Sequence, residues 1–178
     1  MNKHSVTRHL KKVISQIVSK ALICIGLTLI PAISAAETSI VFKSVEQMRI
    51  SELWLNPGFY SCHFQKNKGL NNSNFGLGGE YRYSAVSSVT LGIFNNSGRQ
   101  TSRYVGLYWQ PLTFGTVRFG AVVTAIDGYS MRNGGWFIAA LPAASIEHKR
   151  IGVNLFYIPS YKDEISGSLS LQMKLRMF

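Results

Sequence analysis

The stretch FYSCHFQKN, residues 59–67, carries His63, one of four histidines in the chain. A second stretch, FNNSGRQ at 94–100, carries Ser97 next to Asn96. A histidine near a hydroxyl is an acyl-transfer arrangement, because the imidazole accepts the proton as the oxygen attacks a carbonyl. The alternative is that both are ordinary polar residues at strand ends. Cys62, beside His63, alternates onto the opposite face and reads as a small apolar residue rather than a nucleophile. No residues have metal-ligand spacing, and no glycine-rich phosphate loop follows a strand.

The elements that must position these residues are strands. Eight short segments run at about 58–66, 73–83, 87–96, 102–111, 115–126, 134–146, 150–158 and 167–178. In SNFGLGGEYRY, Phe75, Leu77, Tyr81 and Tyr83 oppose Asn74, Gly76, Gly78, Glu80 and Arg82. In SLSLQMKLRM, Leu169, Leu171, Met173, Leu175 and Met177 oppose Ser168, Ser170, Gln172, Lys174 and Arg176. Period-two patterning means successive side chains face opposite sides of a sheet. Short connections at 84–86, 111–114 and 147–149 alternate with longer polar ones at 65–72, 97–101, 127–133 and 159–166. That layout predicts an all-β, eight-stranded antiparallel transmembrane barrel, with short periplasmic turns and longer external loops. A soluble sandwich is the competing architecture. Residues 40–54 follow a helical spacing and are expected either as an amphipathic helix at the membrane surface or as a poorly ordered lead-in.

Composition agrees with export. Five of the 19 basic residues fall within the first 20 positions, ahead of an uncharged run at 21–36 that ends in small residues. This reads as a secretory signal peptide over 1–36, too short and too proline-broken to span a bilayer as a helix. The domain organisation expected is therefore signal peptide 1–36, lead-in 37–56 and barrel 57–178. The net charge of +11 could suggest nucleic acid, but an exported chain rarely meets any, and no nucleic-acid partner is expected. A monomer in the outer membrane of a Gram-negative cell is.

With the apolar set toward lipid, the other set lines the lumen. Glu80, Arg82, Arg118, Arg150, Lys174, Arg176 and Gln172 sort to the periplasmic half as a charged network. Gly76, Gly78, Gly92, Gly106 and Gly120, with Val122, sort to the outer half. Inward glycines there predict either an apolar-walled cavity suited to an acyl chain or relief of barrel curvature.

The chain resembles the lipid A palmitoyltransferase (PagP) family of outer-membrane barrels. The likeness is carried by VVTAIDGY, ALPAASIEHKRIGVNLFYIPS and GIFNNSGRQTSRYVGLYW, and extends in strand order over most of 58–178. It implies transfer of a palmitoyl-like chain from a phospholipid to lipid A without a cofactor. It also implies a catalytic site at His63, Asn96 and Ser97, with Asn96 standing where the family has aspartate. Asparagine orients a neighbour by hydrogen bonding but holds no charge. Ile126 stands where an arginine is expected beside Asp127, and the first external loop is shorter than in the family. The resemblance further places Tyr108 at the cavity floor, where it would shorten the acyl slot. Lys66, Lys68, Arg99, Arg103, Arg132 and Lys162 sit in or beside the external loops and suit lipid A phosphates. Gly76, Gly78, Gly92, Gly106, Tyr108, Arg99, Arg103 and Asp127 are accordingly the expected substrate-binding residues. A non-enzymatic barrel with structural or surface-binding duties and a lipid A deacylase are the competing functions.

Overall fold

The computed structural model describes residues 42–130, 133–161 and 165–178. The expected signal peptide, Arg132 and Lys162 lie outside the described residues. Among the described residues nine strands form one antiparallel sheet: β1 (Lys43–Ser44), β2 (Arg49–His63), β3 (Ser73–Ser84), β4 (Ser87–Asn95), β5 (Thr101–Phe114), β6 (Val117–Ile126), β7 (Phe137–His148), β8 (Ile151–Ile158) and β9 (Ser168–Arg176). Pairing of β5 with β6 and of β2 with β9 closes β2–β9 into an eight-stranded barrel. Closure removes the unpaired edges that an open sheet would present. The short connections carry backbone suited to tight turns: Gly115 has φ +59° and Lys149 φ +53°.

The barrel begins earlier than expected. Among the described residues the lead-in forms no α-helix; Arg49–Asn56 are the first half of β2. Glu52, Trp54 and Asn56 pair with Arg82, Glu80 and Gly78 of β3. A bulge between Asn56 and Gly58 then shifts the register, so the inward set continues as Phe59, Ser61 and His63. Pro57 and Gly58, with φ +102° at Gly58, produce this inversion, which hides the strand from a period-two reading. The fifth strand also runs on, through Pro111 to Phe114. Pro111 is tolerated at an irregularity between Trp109 and Leu112. Because β5 outruns β4, its surplus edge would be unpaired. β1 fills it, with Lys43 opposite Thr113 and Ser44 opposite Leu112.

The exterior is apolar. Leu77, Leu91, Ile93, Val105, Leu107, Leu171 and Met173 are exposed around its middle. Exposed aromatics cluster toward the ends, with Tyr81, Tyr83, Trp109 and Phe114 near the short turns and Phe64, Phe75, Trp136 and Tyr157 near the long loops. An apolar band between aromatic girdles is the surface of a lipid-embedded barrel, and the fold is compatible with an outer-membrane protein. No helix among the described residues is long and apolar enough to cross a membrane; a barrel crosses with strands.

The interior has two storeys. At the short-turn end, three carboxylates interleave with four cations. Lys174 Nζ lies 2.8 Å from both Glu80 and Glu147, and Arg118 lies 2.7 Å from Glu147. Glu52 takes Arg82 at 3.0 Å and Arg176 at 2.8 Å, and Arg82 also pairs with Glu147. The Trp54 ring lies among these cations, 4.8 Å from Lys174 Nζ. Arg150, expected in this network, is exposed in the β7–β8 turn, while Glu52, Glu147 and Trp54 belong to it. Above lies a neutral polar layer. Asn154 Nδ2 donates to Glu80 at 3.1 Å and Gln172 at 3.1 Å, and its Oδ1 accepts from Ser145 at 2.7 Å. Higher still the lining turns aromatic.

Candidate active site

β2 ends with His63 pointing inward at the long-loop rim. Ser97 reaches it from the β4–β5 loop: Nε2 and Oγ are 2.9 Å apart. On the other side of the ring, Nδ1 lies 2.8 Å from Asn72 Oδ1. A carbonyl oxygen can only accept, so Nδ1 carries the hydrogen and Nε2 presents its lone pair. The Ser97 hydroxyl then donates to Nε2, the polarity required for deprotonating it.

The loop bearing Ser97 is folded around Asn96, which is 1% exposed. Asn96 Oδ1 accepts from the amides of Gly98 at 2.8 Å and Gln100 at 3.0 Å. Its Nδ2 donates to Ser102 Oγ and to the Gly128 carbonyl, both at 2.9 Å. Every hydrogen-bonding position of the amide is therefore engaged, by its own turn, by β5 and by the third external loop, and none with His63. The amide of Asn71 donates to the Ser97 carbonyl at 2.9 Å, and Arg99 Nη1 donates to the Gly69 carbonyl at 2.9 Å. These bonds tie the first external loop to the second.

Beneath the pair lies a cavity of about 100 Å³. Ser97 lines it, with Phe59, Phe94, Tyr104, Leu141, Ile126 and Ile158 as walls and Tyr108, Val122 and Phe156 buried below. Ser61, Asn74, Thr90, Thr124, Tyr129 and Ser170 add polar atoms. The rings pack edge-to-face, with Phe59 4.9 Å from Phe94 and 5.6 Å from Tyr104. Tyr108 receives a 3.4 Å hydrogen bond from Asn154, which fixes its hydroxyl to the polar layer below. Tyr129, in the third external loop, is pushed up to about 12 by burial and stays neutral. One stretch of wall lacks a ladder. β7 and β8 pair only where Ala143–His148 meets Ile151–Phe156. Phe137–Pro142 has no ladder partner on that side among the described residues, and Pro142 and Pro159 each lack an N–H.

The expected residues separate into groups. Ser97 and Tyr108 line the cavity, and His63 adjoins it through its hydrogen bond to Ser97. Gly76, Gly78, Gly92 and Gly106 do not line it. A Cβ on Gly78 would collide with the Tyr104 hydroxyl, and one on Gly92 would lie 2.7 Å from Gly78 Cα. These glycines admit close approach of neighbouring strands and of Tyr104, as curvature relief requires. Arg103 and Asp127 pair with each other, Nη2 to Oδ2 at 2.5 Å, with the Arg103 guanidinium 5.6 Å from the centre of the Trp136 ring. Burial raises the Asp127 carboxyl, but hydrogen bonds from the Arg103 amide and guanidinium, with its charge, outweigh this and hold it below its ordinary value. Cys62 is exposed on the outward face. Among the described residues, no three His, Cys, Asp or Glu side chains converge as for a metal ion. Asn72 was not singled out by sequence; it lies in the asparagine-rich run NNSN, where only the loop's path decides which side chain reaches the ring. Comparison with profiles of known protein families and with curated proteins finds no match.

Proposed function

We propose that the protein is an outer-membrane acyltransferase of the PagP kind, moving a fatty acyl chain from a phospholipid to lipid A. The observation that carries this reading is the His63–Ser97 hydrogen bond at the mouth of an aromatic-walled cavity. Ser97 Oγ attacks the donor ester carbonyl as its proton passes to His63 Nε2. Collapse of the tetrahedral intermediate expels the glycerol oxygen, which takes that proton. A lipid A hydroxyl, deprotonated by the same nitrogen, then attacks the acyl-serine ester, and Ser97 Oγ leaves by taking that proton back from Nε2. The unladdered β7–β8 wall beside Leu141, Phe156 and Ile158 suits a substrate arriving from the bilayer rather than from water.

Lys66 and Lys68 on the first external loop and Arg99 on the second suit lipid phosphates. The basic, apolar N-terminal segment supports export, and the apolar exterior supports an outer-membrane location. At 10–15 Å³ of such volume per water-sized group, the cavity takes roughly seven to ten methylene-sized groups, shorter than a palmitoyl tail. Tyr108 sets that limit.

The test is to express the chain in a Gram-negative host lacking its own lipid A acyltransferase and to weigh the lipid A. A gain of one acyl chain, abolished by His63→Ala, supports the reading. Unchanged lipid A with a correctly inserted barrel overturns it in favour of a non-enzymatic barrel. Loss of a chain would instead identify a deacylase, for which a serine–histidine pair serves equally with water as acceptor.

A further inference from the structure

We propose that Asn72 is a positioning residue that selects the reactive tautomer of His63; the inference rests on His63 acting as the proposed base. A neutral imidazole carries its hydrogen on either nitrogen, and only the Nδ1–H form offers Ser97 a lone pair at Nε2. Asn72 Oδ1, 2.8 Å from Nδ1, stabilises that form and sets the tilt of the ring. The amide is held by its backbone. The Ser61 amide donates to the Asn72 carbonyl at 2.8 Å, and the adjacent Asn71 amide donates to the Ser97 carbonyl at 2.9 Å. Asn71 is fixed in turn by its side chain, which donates to the Ser73 carbonyl at 2.9 Å and accepts the Ser73 amide at 3.1 Å. One loop thus carries the orienting group and docks the hydroxyl, so the ring is gripped from both sides by a single unit.

The orienting partner is uncharged. An amide fixes the tautomer as a carboxylate does, but adds no full negative charge to stabilise the imidazolium formed when Ser97 gives up its proton. Asn72→Asp therefore restores orientation, whereas Asn72→Leu removes it.

The experiment is nitrogen-detected NMR of the histidine ring in the full chain, inserted in lipid nanodiscs, at about pH 9, above the range in which histidine ordinarily charges. The His63 signals are assigned from a His63→Gln spectrum. The wild type shows the Nδ1–H tautomer, Asn72→Leu shifts the ring toward Nε2–H, and Asn72→Asp keeps Nδ1–H. Acyl transfer falls about tenfold in Asn72→Leu, the worth of one hydrogen bond, and is recovered in Asn72→Asp. A wild-type ring in the Nε2–H form, or an Asn72→Leu ring unchanged in tautomer, overturns the inference. Because the tautomer is read without turnover, the expected shift in a barrel that transfers nothing would uphold Asn72 and sink the acyltransferase reading alone.

Discussion

Replacing Lys174 with methionine removes one cation from the charged storey while leaving a side chain of similar reach. Its ammonium is 2.8 Å from Glu80 and 2.8 Å from Glu147, and its side chain is 1% exposed. Glu147 keeps Arg82 and Arg118. Glu80 keeps, as hydrogen-bond donors among the described residues, the neutral Ser88 at 2.9 Å and Asn154 at 3.1 Å, with Arg82 acting on it only through space. Removing one partner of a buried ion pair costs about 3–5 kcal/mol, because the other charge stays buried without compensation. Lys174→Met should lower the unfolding free energy by that amount. The double variant Lys174→Met/Glu80→Gln should recover most of it, since the neutral amide accepts from Asn154 through its oxygen and donates through its NH2 to the Ser88 hydroxyl, which can take either role. The assay is urea unfolding in phospholipid vesicles, followed by tryptophan fluorescence and by the gel mobility of the folded barrel. A loss below about 1 kcal/mol, the range of solvated pairs, would refute the claim that this network is shielded from water. So would a double variant no more stable than the single one.

Tyr108→Ala should lengthen the acyl chain accepted, read by product mass with donors of mixed chain length, at a stability cost of about 3–5 kcal/mol. Asn96→Asp, which restores the aspartate the resemblance leads one to expect, should not raise transfer. It sets a carboxylate oxygen against the Gly128 carbonyl that Nδ2 now serves, and thermal unfolding should show a loss of about 1–3 kcal/mol. The Asp127 carboxyl lies below its ordinary value of 3.8 in the folded protein, so its pairing with Arg103 is fully stabilising above that value and is lost as pH falls through the lower folded value. The stability gap between wild type and Asp127→Asn should therefore be constant near neutrality and close in strong acid, measured by denaturation at each pH.

The later strands were legible because nothing interrupts their alternation; Phe75 to Tyr83 and Leu169 to Met177 display one lipid-facing row each. The first half of β2 was not, because the Pro57–Gly58 bulge exchanges the faces and the residues before it mimic a helical spacing. Pro111 read as a turn because the extra length of β5 and its cover by β1 are long-range facts. His63 and Ser97 could be paired from strand parity and height alone. The orienting group could not: Asn96 adjoins Ser97 in sequence, but its amide is consumed by its own turn, Ser102 and the Gly128 carbonyl, and Asn72 reaches the ring across a different loop. The inward glycines marked close approach rather than empty space, since the Tyr104 side chain lies over Gly92 on the adjacent strand and over Gly78 two strands away.

The interlocked charges around Trp54 also make the barrel a cul-de-sac. Guanidinium, ammonium, carboxylate and indole groups interleave across its short-turn end, so whatever occupies the chamber above meets a charged floor rather than an apolar one. Under the proposed function, two acyl tails contending for that chamber must take turns, since its floor offers neither of them a place to go.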